Sequence, residues 1–411
     1  MTKKIVVTGI GATSPLGGNA PDSWKALLAS ESGARTLTDD WVTDLELPVN
    51  FAAKTRVPAT EQLERVQAKR LDPGSQFALI AGREAWADAG APDVEPERLA
   101  IDWATGIGGV WTLLDAWSTL QERGPRRVMP MTVPMLMPNA PGAAIGMDLH
   151  ARAGIRTVVS ACASSTESLV NAYDHLQADL ADVIIAGGSE ACIHPLPIAA
   201  FANMQALSKR NDSPSTASRP YDISRDGFVL GEGSAALVLE TEEHAKARGA
   251  KIYAELAGGA VTSDSYHITA NDPEGTAAAR AMLTTLELAG ASIDDVAHIN
   301  AHATSTPVGD IAEYHALRRA FGDRLDQIPV SATKASTGHL LGGAGAIEAL
   351  FTVLALRDRL APPTINLTEK DPDIPLDVVT EPRALPNGEL LAISNSFGFG
   401  GHNAVVAFRS V

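Results

Sequence analysis

The sequence predicts an α/β fold built from two similar halves, and three observations carry that prediction. Short apolar runs that end in small polar turns alternate with segments of helix length, which is the pattern of an α/β protein. The chain has 411 residues, 45% hydrophobic and 20% charged, an ordinary globular composition and a length suited to two or three domains or one large duplicated one. The third observation is an internal echo: VVSACASSTES and INAHATSTPVGD each join a strand to a helix through a turn of small polar residues. No repeat of solenoid length accompanies it.

KIVVTGIG reads as a buried strand closing in a glycine turn, and SWKALLASESG as a helix stopped by Gly33. LAIDWATGIGG, IRTVVSAC, VIIAGGSEA and AALVLE continue the strands of the first half, with TESLVNAYDHLQAD as a helix among them. Asn211 to Asp226, rich in Pro, Ser and Asp, reads as a surface loop. A division at 249 gives halves of residues 1–248 and 249–411. VAHINAHAT, PVSATKA and AISNSFGFGG are then the strands of the second half.

Acidic residues outnumber basic ones 49 to 33, a net charge of −16, which argues against nonspecific binding to nucleic acid. Cys162 and Cys192 form no CxxC pair and too few sulfurs exist for a disulfide framework, so a reducing cytoplasm is the expected compartment. MTKKIVV runs into TGIGATSPLGG without a signal-peptide core. No stretch approaches the roughly 18 to 20 apolar residues of a membrane helix. TGIGATSPLG and TGIGGVW place Ser14 and Trp111 where a dinucleotide fingerprint needs its third glycine. GGSEA does not make a hydrolase elbow.

Cys162 follows the strand IRTVVSA and precedes SSTESLV, where Ser164, Ser165 and Thr166 can cap a helix and Glu167 suits its positive end. A thiol at such a corner feels the helix dipole, which can lower its pKa from ~8.5 to about 3.5–7.5, and the free N–H groups there can hold an oxyanion. Burial as a structural cysteine is the alternative, and it is the reading adopted for Cys192. His302 and His339 both sit where strands end, the edge of an α/β sheet at which ligands collect. His298 and His302 are four apart, yet neither HExxH nor a third ligand is near, so no metal is assigned. Glu348 lies in the apolar AGAIEALFTVLAL, where a carboxylate needs a partner, and Lys334 is the candidate. NSFGFGGHN packs Phe397, Gly398, Phe399, Gly400 and Gly401 into a tight turn suited to close backbone approach.

VVSACASSTES, NAHATSTPVGD, KASTGHLLGGAGAIE and NSFGFGGHN, in this order, resemble the elongating type II β-ketoacyl-acyl carrier protein synthases. The likeness extends from Lys4 to about Arg409 and includes RPYDISRDGFVLGEGS. It implies the thiolase-like fold, two α/β halves in five layers, usually in a homodimer. It also implies that Cys162 accepts the acyl group, that His302 and His339 hold the malonyl thioester carbonyl, and that Lys334 orients this pair through Glu348. The N–H groups of Cys162 and Phe399 correspond to the family's oxyanion hole and Phe399 to its gate; Ile107 lines the acyl tunnel, with Phe397, Thr304 and Thr306 also expected against substrate. A structural monovalent cation is compatible with the resemblance, which implies no other cofactor.

The implied partner is acyl carrier protein bearing acyl or malonyl groups. Since that partner is acidic, Lys69, Arg70, Arg126, Arg127, Lys209 and Arg210 are the candidate dock. Gln205 stands where the family often has arginine, Ala303 where glycine follows the first histidine, and His402 where threonine is frequent. A thiolase would carry a second cysteine in the C-terminal glycine motif, and none follows Cys192. Initiation-type synthases typically use Cys-His-Asn, against His339 here. A ketosynthase of aromatic polyketide synthesis and a noncatalytic ketosynthase-like subunit are the competing readings.

Overall fold

The computed structural model describes residues 3–411. Ten strands make its main sheet: β1 (Ile5–Thr13), β2 (Leu99–Ala104), β3 (Gly154–Val158), β4 (Val183–Glu190), β5 (Gly233–Thr241), β6 (Ala254–Ser263), β7 (Val296–Asn300), β8 (Val330–Ser331), β9 (Leu391–Gly398) and β10 (His402–Arg409). Their spatial order is β8-β7-β9-β10-β6-β1-β5-β4-β2-β3. In each half the first strand therefore lies beside the fifth, followed by the fourth, second and third. The senses repeat as well: β1–β5 and β6–β10 are antiparallel, as are β5–β4 and β10–β9. The triples β4–β2–β3 and β9–β7–β8 are parallel. Antiparallel pairing of Ile5–Val7 with Ala254–Leu256 joins the halves.

Helices complete the layers. α1 (Pro73–Asp88) packs on β1, β5 and β4, outside the first half. α2 (Ser164–Gln177) touches β4, β6 and β10, while α5 (Ala344–Asp358) touches β5 and β9, so this central pair is covered by both half-sheets. α3 (Thr276–Leu288) covers β6 and β10 on the far side, with α4 (Pro307–Phe321) packed against it. The result is the expected five-layer αβαβα order. α5 is buried continuously from Ala344 to Leu356, because a helix enclosed on all sides must be apolar all round. Glu348 is the one charged residue in that span.

Three local expectations need correction. The first helix runs Ala20–Leu28 and ends at Ala29, well before Gly33. PVSATKA supplies only a two-residue strand, after which Lys334–Thr337 forms a helical turn. The segment 211–226 is not simply surface: Arg219, Tyr221, Asp222 and Arg225 are buried. Arg225 donates to the Thr306 and Pro307 carbonyls and pairs with Asp371 at 2.7 Å, so polar composition here reflects an internal network.

Candidate active site

The C-terminal ends of the parallel strands deliver the chemical groups to one cavity of about 580 Å³, lined by Cys162, His302 and His339 together with Ile107, Thr304, Thr306, Phe397 and Phe399. Lys334 and Glu348 lie buried behind it. The cationic candidates do not reach the cavity. Lys69, Arg126 and Arg127 are exposed, and Arg70 borders a separate groove with Val66 and Met147. Lys209 and Arg210 follow the rim segment Met204–Ala206, with Arg210 3.7 Å from Asp226.

Cys162 occupies a 3₁₀ turn between β3 and α2, with Ala161 held at φ 51°. The capping expectation is wrong in detail: Ala163 is the cap residue and Ser164 to Thr166 lie inside the helix. Ser164 Oγ accepts from Ser160 N–H at 2.9 Å and donates to the Ala161 carbonyl at 2.6 Å, bracing the turn instead. The backbone N–H groups of Phe399 and of Cys162 itself pull the thiol's pKa down. Gly398 permits close backbone approach here, since a Cβ there would stand 2.5 Å from the Ser160 carbonyl oxygen and 3.1 Å from the Cys162 nitrogen. Burial nevertheless pushes the thiol up to about 11, against the pull of Lys334 and the Phe399 N–H. The lowered pKa expected from a helix corner is therefore absent in the resting site: desolvation outweighs the pull of Lys334 and of the N–H groups.

His302 leaves β7 into a turn with Ala303 at φ 20° and Ser305 at φ 69°. α4 pins that turn from below: Glu313 accepts from the His302 and Ala303 N–H groups at 2.9 and 2.7 Å, and Asp310 accepts from Ser305 at 3.1 Å. Lys334 Nζ lies 3.4 Å from His302 Nδ1 and also bonds Glu348. An ammonium only donates, so Nδ1 accepts and the ring proton sits on Nε2. Lys334 thus acts on His302 directly, with Glu348 holding the lysine. Burial pushes the Glu348 carboxyl up to about 7, with Lys334 opposing.

His339 is fixed through its backbone, donating N–H to the Val229 carbonyl at 2.8 Å, and neither ring nitrogen has a partner. Its ring stands edge-on to His302 at 5.5 Å and to Phe228 at 5.3 Å. Burial holds both imidazoles well below their ordinary pKa, helped by the Lys334 charge. His298 is a structural imidazole, 2.9 Å from Ser331 Oγ and depressed to about 3 by burial. Cys192 is fully buried within the apolar cluster beside the cavity.

Sequence reasoning missed Glu313, Asp310, Glu190 and Phe228. Asp310 and Glu313 are three apart on a helix, a weak hint of one shared face. Among the described residues no group of three His, Cys, Asp or Glu could hold a metal, but several buried side-chain oxygens lack partners. Asn300 Oδ1, Glu348 Oε2, Ser394 Oγ and Asn395 Oδ1 are buried without partners. Asn300 and Ser394 are opposite each other on β7 and β9.

Residues 2–245 match the family model of the β-ketoacyl synthase N-terminal domain, and 253–368 that of the C-terminal domain. The chain belongs to the β-ketoacyl synthases, the condensing acyltransferases whose fold it carries. Among its relatives, the 3-oxoacyl-[acyl-carrier-protein] synthase 2 of Mycobacterium tuberculosis is 45% identical over 406 residues, 98% of this chain and 96% of that protein. The synthase 2 of Synechocystis is 43% identical over 410 residues, 99% and 98%. A β-ketoacyl synthase structure from Burkholderia phymatum superposes with a TM-score of 0.91 at 35% identity over the whole of both chains. A type II polyketide ketosynthase, solved with its acyl carrier protein and a bound hexaketide, gives 0.92 at 29% over the whole of both chains.

Proposed function

We propose that the chain catalyses decarboxylative condensation of an acyl group on Cys162 with malonyl-acyl carrier protein, the elongation step of type II fatty acid synthesis. The observation that carries this is one nucleophilic sulfur and two neutral imidazoles facing the same cavity. In the first stage the Cys162 sulfur attacks the acyl thioester, and the N–H groups of Cys162 and Phe399 hold the negative oxygen. The carrier thiol leaves with the proton that the sulfur gives up. In the second stage malonyl carrier enters, and His302 Nε2–H and His339 donate to its thioester carbonyl. The C–C bond to the carboxylate breaks, CO2 departs, and the electron pair becomes the enolate. Its carbon attacks the acyl-cysteine carbonyl, and collapse of that adduct releases β-ketoacyl carrier and the Cys162 thiolate. Decarboxylation itself generates the carbanion, so no strong base is needed. This suits imidazoles that burial keeps uncharged.

Asn300 and Glu348, joined by the Asn300 Nδ2 bond to the Glu348 carbonyl at 3.2 Å, each keep a side-chain oxygen without a partner, which suits a hard monovalent cation that would offset the carboxylate charge behind Lys334. Carrier protein is the proposed partner, docking on Lys69, Arg70, Arg126, Arg127, Lys209 and Arg210. A second copy of the chain is the proposed occupant of the open edge of β3 and its flank, where Ile155, Val159, Trp117 and Met131 are exposed. No helix among the described residues is long and apolar enough to cross a membrane, and the cytoplasm is the proposed compartment.

Identity of 41 to 45% with 3-oxoacyl-[acyl-carrier-protein] synthases 2, against 29% with a polyketide ketosynthase, favours the fatty acid reading. The presence of Cys162 speaks against a noncatalytic subunit. Incubation with malonyl carrier and a ladder of saturated acyl carriers tests all three. The expected product is each accepted acyl chain extended once, with one CO2 per turn. Repeated extension to an unreduced polyketone would make the chain a polyketide ketosynthase, and no product at all would make it a noncatalytic partner.

A further inference from the structure

The proposed mechanism makes no use of Glu190, whose carboxylate is buried at the end of β4 without a cationic partner. Four donors surround it. Oε2 accepts from the Gly106 N–H at 2.7 Å and the Gly342 N–H at 3.0 Å. Oε1 accepts from Thr105 Oγ1 at 3.0 Å and, more weakly, from the Ile107 N–H at 3.4 Å. These donors belong to two segments far apart in sequence. One follows β2 and carries Ile107; the other follows His339 and carries Leu341, and both residues line the cavity beside Cys162.

The approach of the two segments is closer than side chains allow. A Cβ on Gly342 would lie 2.1 Å from the Gly106 nitrogen and 2.8 Å from Glu190 Oε2, and one on Gly106 would lie 2.6 Å from the same oxygen. Leu341 meanwhile adopts φ 47°, a conformation that leucine rarely takes. Two glycines and a strained leucine are what a carboxylate needs to gather N–H groups from both sides.

We propose that Glu190 is a positioning residue that clamps the Ile107 wall to the Leu341 wall and so sets which acyl chains fit beside Cys162. The proposal rests on the acyl-transfer reading of the cavity. A glutamine would keep the volume but accept through one oxygen only, leaving either the Thr105 and Ile107 donors or the Gly106 and Gly342 N–H groups, which bridge the two segments, facing an amide N–H2. The carboxylate also bears on the sulfur. The charged groups acting on Cys162 are Lys334, which favours the thiolate, and Glu190, which disfavours it; His302 and His339 face the same cavity uncharged.

The test uses Glu190→Gln and Thr105→Val, the latter removing the hydroxyl that bonds both Oε1 and the Gly108 N–H. Acyl loading from a carrier ladder and iodoacetamide alkylation of Cys162 against pH are measured on each folded variant. The expected result for Glu190→Gln is a roughly tenfold flattening of the kcat/KM ratio between the best and next chain lengths. Its alkylation profile moves to lower pH while total loading capacity stays. Thr105→Val is expected to flatten the ratio less and to leave the alkylation profile in place. Uniform loss across all chain lengths in both variants, or an unchanged chain-length ratio in Glu190→Gln, would overturn the clamp. Failure of the wild-type chain to load any acyl group would instead overturn the acyl-transfer reading, while the alkylation profiles would still report on Glu190.

Discussion

Cys162 is subject to two opposing influences. Burial in an apolar chamber raises its pKa to about 11, whereas Lys334 and the backbone N–H groups of Phe399 and Cys162 favour the anion. The free site therefore holds a neutral thiol at neutral pH, and the same donors become effective when negative charge moves onto the thioester oxygen. The imidazoles behave in the opposite sense, since burial keeps His302 and His339 neutral well below the ordinary value of 6.5. Decarboxylation of malonyl carrier should accordingly show no fall on acidification through pH 6.5. A rate that halves there, measured as CO2 release, would mean that a solvent-like histidine is doing the work. Cys162 and His302 were legible in the sequence because each follows a strand in a run of small residues, and His339 because it lies in another such run, although the helical turn Lys334–Thr337 separates it from β8. Glu190 and Glu313 were not, because most of their partners are backbone N–H groups, which carry no side-chain signal in the sequence.

At the scale of elements, the site depends on strand ends meeting turns without side chains between them. β9 ends at Gly398, directly against the turn that carries Cys162. A methyl group there has backbone atoms on every near side, so the strand end or the nucleophile corner must move. Overpacking of this kind costs ~1–3 kcal/mol, and a displacement of the order of 1 Å at a reacting group can cost 10²-fold in rate. Gly398→Ala should lower acylation of Cys162 by about 10²-fold while far-ultraviolet circular dichroism stays native. Unchanged acylation would show that the Phe399 N–H is not needed. Strands and helices were largely visible from apolar periodicity, but the short elements were not. The β8 run PVSATKA has strand composition, yet only Val330 and Ser331 pair, since the chain must turn at once to bring Lys334 under His302. Likewise the polar stretch 211–226 looked solvent-facing because sequence does not distinguish charges in water from charges in an internal network.

The whole molecule divides the chemistry as its topology divides the chain. Both halves share one strand order, but the turn echo between VVSACASSTES and INAHATSTPVGD does not follow from it: Cys162 lies between β3 and α2, and the counterpart corner between β8 and α5 carries His339, whereas His302 follows β7, the counterpart of β2. The central helices α2 and α5, pressed between the half-sheets, bring these corners to one cavity. The proposed consequence is a separation of steps, with acyl transfer resting on Cys162 and decarboxylation on His302 and His339. Intact-protein mass spectrometry after incubation with acyl carrier tests this most directly, using the wild type, Cys162→Ala, His302→Ala and His339→Ala. The account predicts one acyl adduct, mapped to Cys162, in the wild type and both histidine variants and none in Cys162→Ala, with condensation in the histidine variants reduced at least about 10²-fold. An adduct at another residue, or histidine variants that fail to acylate as completely as Cys162→Ala does, would contradict it.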